Sequence, residues 1–140
     1  MNRFLLLAVS TTLVFAPGGA LAQGSPAGVW RNNKDTVRIR VAPCGRGLCG
    51  TVVQASAEAQ EKAAAAGTDR LVGTQLFRGL TRGDDGVWHG EVFVPDVGTS
   101  VEGTLELDGS DTLFASGCLL AGLACKTQTW TRVADRPRRR

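Results

Sequence analysis

Apolar and polar side chains alternate in short runs along most of this chain, with turn-forming residues between the runs at roughly 8–12-residue intervals, the pattern of an antiparallel sandwich or barrel. The clearest run is "TVRIRVA" (36–42). Val37, Ile39 and Val41 share one face there, and Arg38 and Arg40 the other, which predicts a strand with one buried side. "GVWR" (28–31) precedes it. "LCGTVVQ" (48–54), a strand within "LVGTQLFRGL" (71–80), "VWHGEVFV" (87–94), "SVEGTLEL" (100–107), "TLFASGC" (112–118) and "CKTQTWTRV" (125–133) follow. The intervening "NNKD", "TRGDDG", "PDVGT" and "DGSD" supply turn chemistry. One stretch breaks the alternation. "ASAEAQEKAAAAG" (55–67) is built of strong helix formers and ends at Gly67, so it predicts a short helix between the third and fourth strands. The fold expected is all-β: an eight-stranded antiparallel up-and-down barrel with one helix across an end.

The first 22 residues do not belong to that pattern. Arg3, the apolar run from Phe4 to Ala16 and the small-residue triplet Ala20-Leu21-Ala22 read as a secretory signal peptide cleaved after Ala22. A membrane-spanning helix needs roughly 20 apolar residues, and Pro17-Gly18-Gly19 end the run too soon. The mature barrel is then expected over residues 23–135, periplasmic or secreted, not membrane-spanning, and monomeric. The net charge of +3 belongs to the tail at 136–140, where Arg136, Arg138, Arg139 and Arg140 cluster around Pro137. Such a tail stays solvated or hooks an anionic envelope surface. Nucleic acid is not an expected partner in that compartment.

Four cysteines in a small exported chain read as two disulfides with three connectivities. Topology selects among them. In an up-and-down barrel successive hairpins alternate between the two ends, so the turn carrying Cys44 and Cys49 lies opposite the turn carrying Cys118 and Cys125. Cross-pairing would have to span the barrel. Local pairing sets Cys44 opposite Cys49 across a hairpin, within the Cα separation a disulfide accepts. Gly45 and Gly47 permit the tight reversal. Zinc requires the four thiolates to converge, and a redox dithiol usually shows two intervening residues. Neither a metal nor a cofactor is expected.

End-counting also brings Trp30, at the start of the first strand, to Arg132, at the end of the last. A guanidinium over the indole is a favourable contact of about 0.5–2 kcal/mol. Gly28-x-Trp30 answered by Arg132 resembles the structural signature of the lipocalin or calycin barrels. A closer resemblance covers nearly the whole mature chain. Gly28 and Trp30; Cys44, Gly45, Leu48, Cys49 and Gly50; Trp88, Gly90, Phe93 and Pro95; Gly117 and Cys118; and Trp130, Thr131 and Arg132 resemble the pattern of the bacterial domain-of-unknown-function 2147 family. The resemblance implies an exported, lipocalin-like barrel and no established activity. The chain departs from that pattern where the Ala-rich helix stands in place of an Asn-Pro-Asp stretch.

No catalytic constellation emerges. His89 is the one histidine, set beside Glu91 on the outer face of its strand, and no nucleophile completes a triad. Asp84-Asp85-Gly86 is explained as a hairpin turn. Trp30, Trp88 and Trp130 read first as core. The end with Trp30 and Arg132 should be closed. The other end, with the helix, the "PDVGT" turn and the "CLLAGLAC" hairpin, should be a mouth, with Leu119, Leu120 and Leu123 near it as candidate ligand contacts; Trp88 is a further candidate contact. The expectation is a non-enzymatic carrier of a small hydrophobic molecule, or an envelope module docking through the tail and the leucine hairpin.

Overall fold

A computed structural model describes residues 24–119 and 122–134 of the chain. Their strands are β1 (Gly28–Asn32), β2 (Val37–Cys44), β3 (Gly47–Ala55), β4 (Gln75–Arg82), β5 (Trp88–Val94), β6 (Thr99–Asp108), β7 (Thr112–Leu119) and β8 (Ala124–Arg132). Each pairs antiparallel with the next, and β8 closes on β1 through Trp30 opposite Arg132 and Asn32 opposite Trp130. Closure removes the free sheet edges that would otherwise invite pairing with other chains. The signal peptide, the tail at 136–140 and Leu120 lie outside the described residues.

The one helix among the described residues, α1 (Ala57–Ala65), is shorter than the 55–67 stretch because Ser56 caps it. The Ser56 hydroxyl accepts from Ala59 N at 3.1 Å, and Ser56 N donates to Thr36 O at 2.8 Å, tying the helix start to the β1–β2 turn. Ala63 is its one fully buried residue among the small side chains facing the sheet.

The inward faces of β1 to β3 and β6 to β8 build a packed core around Trp30, Ile39, Val41, Leu105 and Leu113, all essentially inaccessible to solvent. Each such large side chain contributes about 1.5–3 kcal/mol through burial. Leu80 joins them opposite Gly90, where a Cβ would stand 2.8 Å from Leu80 Cδ2. Trp130 meets Phe77 edge-on, centroids 6.3 Å apart.

Both disulfides pair locally, Cys44 with Cys49 and Cys118 with Cys125. Cys118 faces Cys125 directly. Cys44 instead faces Gly47, and Cys49 faces Ala42, so the first bridge runs diagonally with Cα atoms 5.7 Å apart. The hairpin loop is only Gly45-Arg46, and Gly45, at a φ of 58°, supplies the left-handed residue that a two-residue reversal needs. Gly47 has a different role from the one expected. A Cβ on it would lie 2.5 Å from Leu80 O, so its missing side chain admits the neighbouring strand β4.

Candidate functional site

At the end where β1, β3, β5 and β7 finish, side chains do not fill the barrel. Two adjoining lobes, of about 440 Å³ and 520 Å³, share Leu76, Val94, Pro95, Asp96, Gln128 and Trp130 on their walls. The first lobe opens past α1, between Ala59 and Lys62 and the β1–β2 turn. The second runs along the inner wall past Val92, Val101 and Ala115 to Leu119 and Ala124, the residues flanking the Cys118–Cys125 bridge. Glycines let neighbouring side chains lie close on this wall: a Cβ on Gly103 would stand 2.5 Å from Val92 Cγ2, and one on Gly117 2.9 Å from Val101 Cγ2. Gly103 faces Gly117 across β6 and β7, opposite Gly90 and Lys126 in the same register. Cavities of several hundred Å³ lined by apolar side chains with a few polar groups are the ordinary form of small-molecule sites.

Polar groups on the wall come from β8. Pairing of Leu113 with Trp130, Ala115 with Gln128 and Gly117 with Lys126 puts those three β8 residues on one inward column. Trp130 is 2% exposed, and its Nε1–H has no hydrogen-bond partner among the described residues. Trp30, by contrast, donates from Nε1 to Pro26 O at 2.9 Å. Elsewhere on the rim Glu58 pairs with Lys62 at 3.1 Å, and that ammonium holds the Glu58 carboxyl below its ordinary pKa.

Leu119 lines the second lobe. Leu123 stands 89% exposed at the rim beside no cavity wall, and Leu120 lies outside the described residues. Trp88 sits at the other end, half-buried over an open groove with Pro26 and Leu107, because β5 begins at the closed end and runs toward the mouth. His89 and Glu91 point outward but do not pair. His89 Nε2 lies 3.1 Å from Asp85, while Glu91 accepts from Arg78 at 2.8 Å and from Ser100 at 3.0 Å. Arg78, with Ser100 behind it, holds the Glu91 carboxyl below its ordinary pKa, and the same guanidinium lies 4.7 Å over the Phe93 ring. Asp84-Asp85-Gly86 is a turn, with Asp85 accepting from Val87 N at 2.9 Å. Among the described residues no group of three His, Cys, Asp or Glu side chains is placed to hold a metal, and no helix is long and apolar enough to cross a membrane.

Sequence reasoning assigned Trp130 to the core, where it lies, and passed over Gln128 and Lys126. The signal was there. In "KTQTW" the residues sharing the parity of Trp130 are polar, and both stay exposed at the open end of the strand while Trp130 is buried.

A family model described as "Uncharacterized protein conserved in bacteria (DUF2147)" matches residues 28–132. No curated protein and no solved structure matches the chain.

Proposed function

As the chain belongs to the DUF2147 family, whose description names no activity, we propose that it is an exported, non-enzymatic barrel, periplasmic or secreted, that binds a small hydrophobic molecule in its mouth. The observation that carries this reading is the lobe walled by Val92, Val101, Ala115 and Leu119. It stands in contrast to the packed half around Trp30, Ile39 and Leu113. A barrel that needed only to fold would gain about 25 cal/mol per Å² by filling that space with larger side chains. Ala115, a methyl on the lobe wall, forgoes it. Entry runs past α1, whose few buried contacts leave it free to move aside at low cost.

The test is titration with an apolar fluorescent probe that brightens on leaving water, followed by extraction and mass spectrometry of material purified from its native compartment. Saturable one-to-one binding is expected, abolished by Ala115→Phe, which would fill the lobe from its wall. A sample that binds no probe and releases no small molecule on extraction would sink the proposal.

A second reading, docking to an envelope surface, draws on the rim. Leu123 and Val97 are 89% and 56% exposed on the two turns that flank the mouth. Loss of membrane association in a Leu123→Ser variant would favour it, and unchanged fractionation would count against it.

A further inference from the structure

Trp30 carries a guanidinium over its ring and Trp130 meets Phe77, but Trp88 has neither kind of partner among the described residues. It lines an open groove of about 960 Å³ at the packed end, with Pro26, Val87 and Leu107 as its apolar neighbours. Asp84, Asp85 and Glu106 stand along the same groove with one cation, Arg82. We propose that this groove seats the chain's own C-terminal segment, 135–140, whose arginines lie over Trp88 and beside those carboxylates.

The end of β8 gives the occupant its place. The Arg132 side chain donates to Ser25 O and to Ser110 O, and both residues belong to the groove wall. The strand therefore ends about one side chain's length from the groove. Beyond Ala134 come Asp135, Arg136, Pro137, Arg138, Arg139 and Arg140, a segment that spans at most about 20 Å when extended. It carries one acid and four arginines past a site with three carboxylates.

The other path open to the segment is unfavourable in charge. Val133 N donates to Val29 O at 2.8 Å, so the chain leaves β8 beside the outer wall of β1 and β2. Trp30, Ile39 and Val41 face inward, which turns Arg31 and Arg40 outward on that wall. These two repel the arginines of the segment, and the groove carboxylates attract them.

Arginine also suits both halves of the groove. Its planar guanidinium stacks on an indole face and pairs bidentately with a carboxylate, while its stem covers apolar surface such as Pro26 and Leu107. Arginines held there are not presented to an anionic envelope surface, so occupancy of the groove decides whether they can act as a hook. The mouth lies at the opposite end, and the contact is independent of the carrier reading.

The test compares ¹H–¹⁵N spectra of the oxidised protein with those of the Arg136→Gln/Arg138→Gln/Arg139→Gln/Arg140→Gln variant, which keeps the length of the segment. The Trp88 indole resonance, identified by its loss in Trp88→Phe, and the amides of 84–87 and 106–110 should move in the variant. Salt raised to about 0.5 M should move the same resonances of the parent in the same direction. The groove is then neutralised by Asp84→Asn/Glu106→Gln, which spares the turn contact from Val87 N to Asp85. In that background the four glutamines should move Trp88 by less than about half as much. A Trp88 resonance unmoved by the four substitutions, or an equal shift in the neutralised groove, would overturn the proposal. Shifts that grow with protein concentration, together with a dimer in sedimentation, would assign the groove to the segment of a second copy and overturn the contact within one chain.

Discussion

Arg132 holds the closed end through contacts that only its planar fork can make together. Its Nε donates to Ser110 O, Nη1 to Ala27 O and Nη2 to Ser25 O, each at 2.7 Å, while the guanidinium carbon lies 4.3 Å above the Trp30 ring. The same group explains Gly28. At a φ of 139°, a Cβ there would stand 2.6 Å from Arg132 Nη1. Lysine has no fork and cannot reach three carbonyls at once, so Arg132→Lys should lower unfolding free energy in urea by about 1–3 kcal/mol. Gly28→Ala should cost a similar amount through backbone strain and the displaced guanidinium. The Trp30–Arg132 contact was legible in the sequence because strand counting fixes which residues meet at an end. The carbonyl clamp was not, since backbone acceptors leave no mark on side-chain patterning. For Glu91 the outer face was legible and the partner was not. Its neighbour on the same strand face is His89, but cross-strand pairing sets it opposite Arg78, and that partner governs its titration. With the folded pKa below the ordinary 4.5, the contribution of Glu91 is present above that value and is lost as pH falls through the folded pKa. Asp35, lowered by Arg38, behaves alike from 3.8. Thermal melts should therefore be level near neutrality and decline below about pH 4.5, less steeply in Glu91→Gln. Because both carboxyls are exposed, added salt should blunt the difference.

At the scale of elements, alternation located all eight strands, and the errors cluster where glycine interrupts the period of two. Within 71–80 the strand begins only at Gln75 and runs on to Arg82. Leu71 is buried in the preceding turn, and Leu76 and Phe77 are buried side by side. Two irregularities cause this: a register shift against Gly50 and Thr51, and another between Arg78 and Thr81, where Gly79 adopts a φ of 60°. A bulge adds a residue to one strand and turns two consecutive side chains to the same side. Periodicity alone cannot place such a shift. Gly50 shows its packing consequence. Phe77 leans over it so closely that a Cβ would lie 2.5 Å from the ring, and the same Phe77 braces Trp130. Gly50→Ala should therefore cost about 1–3 kcal/mol in urea unfolding by overpacking. It should also shift the Trp130 indole resonance although β1 and β2 separate residue 50 on β3 from Trp130 on β8. An unchanged spectrum would show that β4 yields without passing the strain on.

For the whole molecule, the division of the barrel into a packed end and an open end follows from hairpin alternation, and that much of the candidate site could be read in advance. Which residues line the space could not, because it depends on how β5 to β8 fall in register, and register is not visible strand by strand. The two disulfides sit on opposite sides of this division. Cys44–Cys49 closes the β2–β3 turn at the packed end. Cys118–Cys125 closes the β7–β8 turn at the mouth. Both loops are short, and by chain entropy each bridge contributes about 2–2.5 kcal/mol. Replacing either pair by alanine should thus lower stability in urea by a comparable amount, which would not by itself distinguish the ends. Binding should distinguish them. Leu119 and Ala124 adjoin the second bridge in the cavity wall, and Lys126 follows one residue beyond it. Without the bridge their strands can splay, and the ordering entropy returns as a cost of binding. Affinity for the fluorescent probe should fall severalfold in the Cys118→Ala/Cys125→Ala variant and stay at the parent value in Cys44→Ala/Cys49→Ala. Equal losses in both variants would mean that the barrel responds as one body and that the mouth is not a separately built site.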